Sequence, residues 1–287
     1  MAGNTTSNLI GFLCDTPMVG SGYFGMLQIG LMAGCHKWET ALVVKSFDLT
    51  DTALAGRVRA LLERTPLRGI ILPEPICEIV PVIEAAIETG LPVVRIAPHT
   101  DLGTTLDICL DNRAAAYDMT HYLIGLGHQR IAFVKGPPDH RDAIARLEGF
   151  RAAMADAGLA VDESQFLTGG FDYAQGLGAA ERLLAMRPLP TAIFASNDEV
   201  AAAILSTAHR LGLDIPGDFS LAGFDDSPLA RSVWPQITTC RQKMELTGYM
   251  AVDFVIDPPT SAEARKRPMQ HELVIRQSTA RAGRPVG

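Results

Sequence analysis

The feature that most constrains this chain is its rhythm. Short apolar runs alternate with amphipathic stretches of helical spacing almost from end to end. Residues 9–14, 41–47, 68–73, 91–96 and 105–110 read as strands, with helices over 23–36, 51–63, 76–88 and 112–126. The pattern resumes with strands at 130–135, 164–168, 191–196 and 219–224, interleaved with helices at 140–157, 173–186 and 198–211. A helix over 243–257 and a strand over 271–276 follow. Asp51 is placed as an N-cap, and Gly158 and Gly212 close their helices. Strands separated by about 10–15 helical residues are βαβ units, which build parallel sheets through right-handed crossovers. Two such series, about 9–126 and 130–240, predict two α/β lobes with a ligand cleft between them. Residues 257–269 read as a polar turn and 277–287 as a loose tail.

Composition removes several classes. A chain of 287 residues with 47% hydrophobic and 20% charged residues is neither disordered nor collagen-like. Apolar runs such as 131–134 are far shorter than the ~18–20 residues of a membrane span. The first basic residue is Lys37, so residues 1–36 lack the positive start of a signal peptide, and a cytoplasmic location is expected. A net charge of −7 argues against direct adhesion to phosphate backbones. Cys14, Cys35, Cys77, Cys109 and Cys240 are odd in number and show no C-x-x-C spacing, which fits buried thiols in a reducing compartment. His121 and His128 lack the carboxylate or cysteine that would complete a metal-ligand set, so no metal is expected.

In open α/β sheets ligands gather where strands end at their carboxyl side. Those positions hold Asp15, Tyr23 and Phe24; Asp111 and Asn112; Arg141 and Arg146; Phe171, Asp172 and Tyr173; Asn197 and Asp198; and Asp225 and Asp226, with Trp234 close behind. The mixture suits a polyol. Carboxylates and amides answer neighbouring hydroxyls, arginine supplies a rigid donor fork, and aromatic rings cover the apolar face of a sugar. The same aromatics would serve a purine, but a sugar is favoured. Asp111, Asn197 and Asp225 also stand where helix caps are common, and one residue can do both.

Catalytic readings find little. There is no G-x-S-x-G, no P-loop and no Ser/His/Asp set at local spacing, so no catalytic residue is assigned. Gly20, Gly22 and Gly25 spell G-x-G-x-x-G, with Asp48 twenty-three residues beyond Gly25, which imitates a dinucleotide fingerprint. The glycine turn should follow the strand directly, yet Asp15 to Val19 intervene. No cofactor is therefore expected, and an NAD-dependent enzyme stays the weaker alternative.

Taken in order, several segments resemble the effector-binding core of lac-repressor-type (LacI/GalR) transcriptional regulators. They are Leu110-Asp111-Asn112, Leu126-Gly127-His128-Gln129-Arg130-Ile131-Ala132, Arg146-Leu147-Glu148-Gly149-Phe150, Ala192-Ile193-Phe194-Ala195-Ser196-Asn197-Asp198 and Gly223-Phe224-Asp225-Asp226. Pro235-Gln236-Ile237-Thr238-Thr239 follows, with Gln242 and Gly248 beyond. Each is weak alone; together, in this order, they cover about 8–276. The resemblance implies a periplasmic-binding-protein-like α/β fold of two lobes, each a parallel sheet flanked by helices. One lobe would be 8–126 with 241–258, the other 127–240 with 270–278, with chain crossings near 126–128, 240 and 258–269. It implies ligand contacts at Arg146, Asn197 and Asp225, and weaker ones at Asp111, Tyr23, Phe24, Phe171, Trp234 and Gln242. It also implies a homodimeric repressor that binds a small effector and couples lobe movement to operator affinity. Such regulators bind DNA through an N-terminal helix-turn-helix, for which Met1 to Asn8 leave no room, so operator DNA would be met only through a head absent here. An exported sugar-binding protein of the same fold is the other alternative.

Overall fold

The computed structural model describes residues 7–16 and 18–283. In chain order the elements are β1 (Leu9–Asp15), α1 (Gly22–Lys37), β2 (Ala41–Phe47), α2 (Leu54–Arg64), β3 (Gly69–Pro73), α3 (Val80–Ile87), β4 (Val93–Ile96) and β5 (Leu106–Leu110). Then come α4 (Asn112–Gly125), β6 (Ile131–Lys135), α5 (Arg141–Asp156), β7 (Phe166–Thr168), α6 (Tyr173–Leu184), β8 (Ala192–Ala195), α7 (Asp198–Arg210) and β9 (Ser220–Asp225). The last are α8 (Pro228–Ser232), β10 (Thr238–Arg241), α9 (Met244–Ile256), β11 (Lys266–Met269) and β12 (Glu272–Val274). Two compact units result. The first runs up to Leu110 and adds Lys243–Met269; the second is Asp111–Gln242 with the chain from Gln270 onward.

The first unit holds a parallel sheet in the order β11-β5-β4-β3-β1-β2. Its inner strands β3 and β4 are buried throughout, as helices on both faces of a parallel sheet require. Phe12, Leu27, Ile71, Val94 and Val252 meet in its core. Helices α1 and α9 approach closely through glycine. A Cβ on Gly30 would lie 1.9 Å from the Glu245 carbonyl oxygen, and one on Gly248 2.3 Å from that of Leu27. Arg95 is fully buried on β4, donating to Asp107 and Thr105 at the start of β5 and to the Thr100 carbonyl. It pins the loop between those strands without a helix.

The second unit's sheet runs β12-β10-β9-β8-β6-β7, parallel except for β12, which lies antiparallel to β10. Phe133 packs edge-on against Phe194 at 5.2 Å and beside Phe150 at 5.1 Å, tying the centre of the sheet to α5. The strand order reverses about β6, whose neighbours β7 and β8 lie on opposite sides, so the crevice at the carboxyl ends opens there.

Several expectations are corrected. The first crossing falls at 110–111, so α4 belongs to the second unit, where it packs on α5; a Cβ on Gly149 would meet the Arg113 carbonyl oxygen at 2.1 Å. The polar stretch 257–269 is not merely a turn: its last four residues form β11 on the edge of the first sheet, beside β5. The described part of the expected loose tail is docked. Ser278 is buried and bonds Leu221, Gln236 and Thr238, while Ala282 N–H reaches the Leu126 carbonyl. Asp51 does not cap α2; it accepts from Ala53 N–H in the preceding turn, and Ala53 stands at the cap position. Residues 284–287 lie outside the described residues. All five cysteines are unpaired, and only Cys109 is less than buried.

The helix contact yields a stability test. Gly30→Ala should lower stability by about 1–3 kcal/mol, because the α9 backbone must move. Gly178→Ala on α6, where nothing lies within 4 Å of the added methyl, should raise it by about 0.8–1 kcal/mol. Urea denaturation of both variants checks the pair of signs.

Candidate functional site

Most of the sequence-selected polar groups converge at the carboxyl edge of the second sheet, and Arg146 is their centre. It lies in the second turn of α5, with its side chain buried. Its Nε donates to Asn112 Oδ1 at 2.8 Å, and Nη1 donates to the Ser196 carbonyl at 2.6 Å. Nη2 lies 3.7 Å from Asp225 Oδ1, an ion pair too long for a hydrogen bond. The guanidinium carbon sits 3.8 Å from the centre of the Phe224 ring and 5.5 Å from that of Phe171. A buried guanidinium demands such company, since each unanswered N–H costs desolvation.

Asp225 ends β9 with φ +104, and Asp226 follows with φ +57, a backbone conformation that side chains other than glycine seldom adopt. The turn is held from several sides. Asp198, at the start of α7, accepts from Ser227 N–H and from Thr239 Oγ1, both at 2.7 Å. A Cβ on Gly223 would lie 2.4 Å from the same carboxylate, so glycine is needed there. Asp226 is paired with Arg241 and Arg276. Gln242 donates to Asp225 Oδ1 at 2.8 Å. Burial pushes the Asp225 carboxyl up to about 7, against the pull of Arg146 and the Gln242 amide. Burial and the neighbouring Asp225 also raise Asp198.

Asn197 is buried, and both ends of its amide are engaged within the chain. Its Oδ1 caps α7 on Val200 N–H at 3.0 Å and its Nδ2 holds the Phe171 carbonyl at 2.8 Å. It therefore positions the Phe171 loop, whose ring packs so tightly on Gly136 that a Cβ there would meet it at 2.5 Å. Asp111 caps α4 on Ala114 N–H and is exposed. Its neighbour Asn112, paired with it in the sequence but not ranked for the site, is the residue that reaches Arg146. The signal was the Leu110-Asp111-Asn112 run itself: a cap at Asp111 turns the next side chain inward. Trp234 is 71% exposed, with no hydrogen bond, ion pair or ring contact to the Arg146 set among the described residues. Phe24 and Tyr23 belong to the first unit. Phe24 is buried in its core 6.0 Å from Phe12, and Tyr23 packs on the same cluster.

The dinucleotide imitation dissolves into local structure. Gly20 has φ +98 in the turn before α1, and Ser21 caps that helix on Phe24 N–H. Asp48 is taken by Thr50 N–H and hydroxyl.

The family model of the periplasmic binding protein-like domain matches residues 120–279, which hold Arg146, Asn197 and Asp225 and more than half of the chain. The chain belongs to this periplasmic-binding-protein-like family. The ribose operon repressor of Escherichia coli (strain K12) is 36% identical over 165 residues, 57% of this chain and 50% of the repressor. Catabolite control protein A of Priestia megaterium is 32% identical over 203 residues, 69% of this chain and 60% of its own length. The chain thus spans about half the length of the curated relatives it matches. Among solved structures, a LacI-family transcriptional regulator from Mycobacterium smegmatis superposes with a TM-score of 0.79 at 25% identity, covering 95% of this chain and 99% of that one. A LacI-family regulator from Enterococcus faecium with bound ribose gives 0.82 at 23% identity, again 95% and 99%. The resemblance drawn from the ordered motifs agrees with all four. These relatives are transcription regulators rather than enzymes. Both sheets have the helix-flanked, chiefly parallel form of this periplasmic-binding-protein-like family.

The raised Asp225 carboxyl makes a signed prediction. Unfolded, it titrates near 3.9; folded, it holds its proton to about 7. The fold therefore binds the extra proton, and stability is lost as pH rises through that window. Asp225→Asn removes the penalty. The variant should gain a few kcal/mol relative to wild type between pH 5 and pH 7.5. Denaturant titration of both proteins at the two pH values reads this difference, and a pH-independent gap contradicts the assignment.

Proposed function

We propose that this chain is the effector-sensing core of a transcription repressor, and that its effector is a sugar held at the carboxyl edge of the second sheet. The observation that carries the reading is the Arg146–Asp225 arrangement: a buried donor fork and a buried acceptor face each other at 3.7 Å without bonding. Adjacent hydroxyls of a polyol donate and accept at once, and so satisfy both. Phe171 beside them supplies an apolar surface for the ring's C–H face. Ribose in the Enterococcus faecium regulator and cellobiose in another structural neighbour support the sugar class. The purine alternative lacks a comparable observation. Asn197 and Gln242 act by positioning Phe171 and Asp225, while Tyr23, Phe24, Asp111 and Trp234 lie outside the proposed set.

The wider roles rest on the relatives. Effector binding shifts operator affinity through its differential affinity for two states of the protein, about 1.4–2.7 kcal/mol for a 10–100-fold difference. Operator DNA would be met through a helix-turn-helix head outside this chain. A repressor acts where its DNA is, so this reading puts the chain in the cytoplasm; five unpaired cysteines are in keeping with a reducing compartment. A second copy of the chain would cover apolar side chains left outside on the packed α1–α9 pair. Ile29, Met32 and Leu246 are 60%, 57% and 46% exposed.

Thermal unfolding against mono- and disaccharides, sugar phosphates, nucleobases, nucleosides and NAD tests the reading. A sugar at 100 times its Kd adds about 2.7 kcal/mol and shifts Tm by several degrees. Arg146→Ala should abolish that shift. Stabilisation by a nucleobase, or by NAD alone, would overturn the sugar assignment.

A further inference from the structure

The first sheet ends at β2, which pairs only with β1. Between the carboxyl half of that edge strand and α2 lies a cavity of about 400 Å3, within the size range of small-molecule pockets. β2 lends it Lys45 and Phe47, two residues apart and so on one face of the strand. The turn that follows lends Asp48 and Asp51, and α2 lends Arg57, Leu61 and Arg64, one stripe at i, i+4 and i+7. Both carboxylates are already spent. Asp48 accepts from Thr50 N–H at 2.9 Å and from its hydroxyl at 2.7 Å, which holds its carboxyl below the usual range. Asp51 accepts from Ala53 N–H and pairs with Arg57 at 2.6 Å. Lys45 and Arg64 are left over. Lys45 Nζ stands 6.0 Å from the centre of the Phe47 ring, and among the described residues neither cation has a carboxylate within ion-pair distance. Phe47 is anchored in the core with Leu54 and Val58, and Leu61 packs against the same cluster, so the apolar wall is fixed. The chain carries a net charge of −7, yet this recess keeps two unanswered cations beside apolar carbon. Such a recess attracts an anion with an apolar body.

We propose that this cavity of the first unit is a second small-molecule site, which takes an organic carboxylate carried on a small aromatic body. The Arg64 fork receives the carboxylate, Lys45 adds a point charge, and Phe47 and Leu61 cover the ring. A bare inorganic anion would leave the apolar wall unused, and a neutral sugar would leave both cations unanswered. The site shares no residue with the Arg146 set, so it stands or falls independently of the sugar reading. Lys45 and Arg64 are exposed, so their replacement leaves the fold intact.

Benzoate is the probe, titrated into the full chain and followed by 1H–15N correlation spectra. Saturable shifts are expected at the backbone amides of residues 45–51 and 57–64. Benzyl alcohol keeps the ring and loses the charge; acetate keeps the charge and loses the ring. Each should bind about tenfold more weakly than benzoate. Lys45→Gln and Arg64→Gln should each weaken benzoate about threefold to fivefold, as loss of an exposed charge pair does. Arg59→Gln removes the same charge from α2 outside the cavity and should leave the affinity unchanged. Absence of saturable shifts at these amides up to about 10 mM benzoate would overturn the proposal. So would an equal response to acetate and benzoate, or an equal loss in Arg59→Gln. Sedimentation of the variants covers the other occupant. If Lys45→Gln and Arg64→Gln dissociate an assembly that wild type forms, while benzoate shifts nothing, the cations meet a second copy of this chain and the proposal falls. None of these outcomes bears on the sugar reading, which the sugar panel decides separately.

Discussion

A guanidinium buried in a protein must have its donors answered, and the second unit is organised around doing so for Arg146. The α5 helix delivers it, α4 brings Asn112, the end of β8 brings a carbonyl, and β9 brings Asp225 and the Phe224 ring. Four elements far apart in the sequence are therefore tied to one side chain. That centre is incompletely satisfied. Among the described residues Asn112 Nδ2 has no hydrogen-bond partner, and the Arg146–Asp225 pair stops short of bonding. Interiors built only for stability close such gaps, often with hydrophobic side chains of similar volume. A site that expects a polar guest leaves them open.

The strained turn at Asp225 and Asp226 belongs to the same arrangement. Positive φ at two successive aspartates persists because the surroundings over-determine it: Asp198 takes Ser227 and Thr239, and Asp226 takes two arginines. The gain is the direction of Asp225, whose carboxylate is turned toward Arg146 and Gln242 instead of capping the helix that follows. Burial holds the Asp225 carboxyl well above the usual carboxylate range, to about 7.

Much of this was legible in the residues. The alternation of apolar runs and helical spacing predicted a series of strands and helices of the right kind, because parallel strands buried on both faces leave continuous apolar sequence. Arg146, Asn197 and Asp225 stand out as candidates because they follow strands at the edge where such sheets bind ligands and because they lie in the ordered motifs. What escaped depended on partners distant in the chain. Lys266-Arg267-Pro268-Met269 carries no strand pattern and becomes β11 only because β5 offers a free edge. Ser278 looks like a tail residue until Leu221 and Thr238 receive it. Asp111 and Asn112 are neighbours in the sequence, and only the cap of α4 shows that Asp111 is taken while Asn112 reaches Arg146. Phe24 and Phe171 are alike in sequence, and only the fold sends one to a core and the other to a site.

The claim that Arg146 is the ligand's anchor is tested most directly by its own signal. The Arg146 Nε–H resonance, assigned by its loss in Arg146→Lys, would be followed by 1H–15N correlation spectroscopy during titration with the most stabilising sugar of the panel. The account predicts that it shifts in saturable fashion, with the same Kd as the thermal stabilisation. A sugar that stabilises the protein while leaving the Arg146 Nε–H resonance unmoved would contradict it.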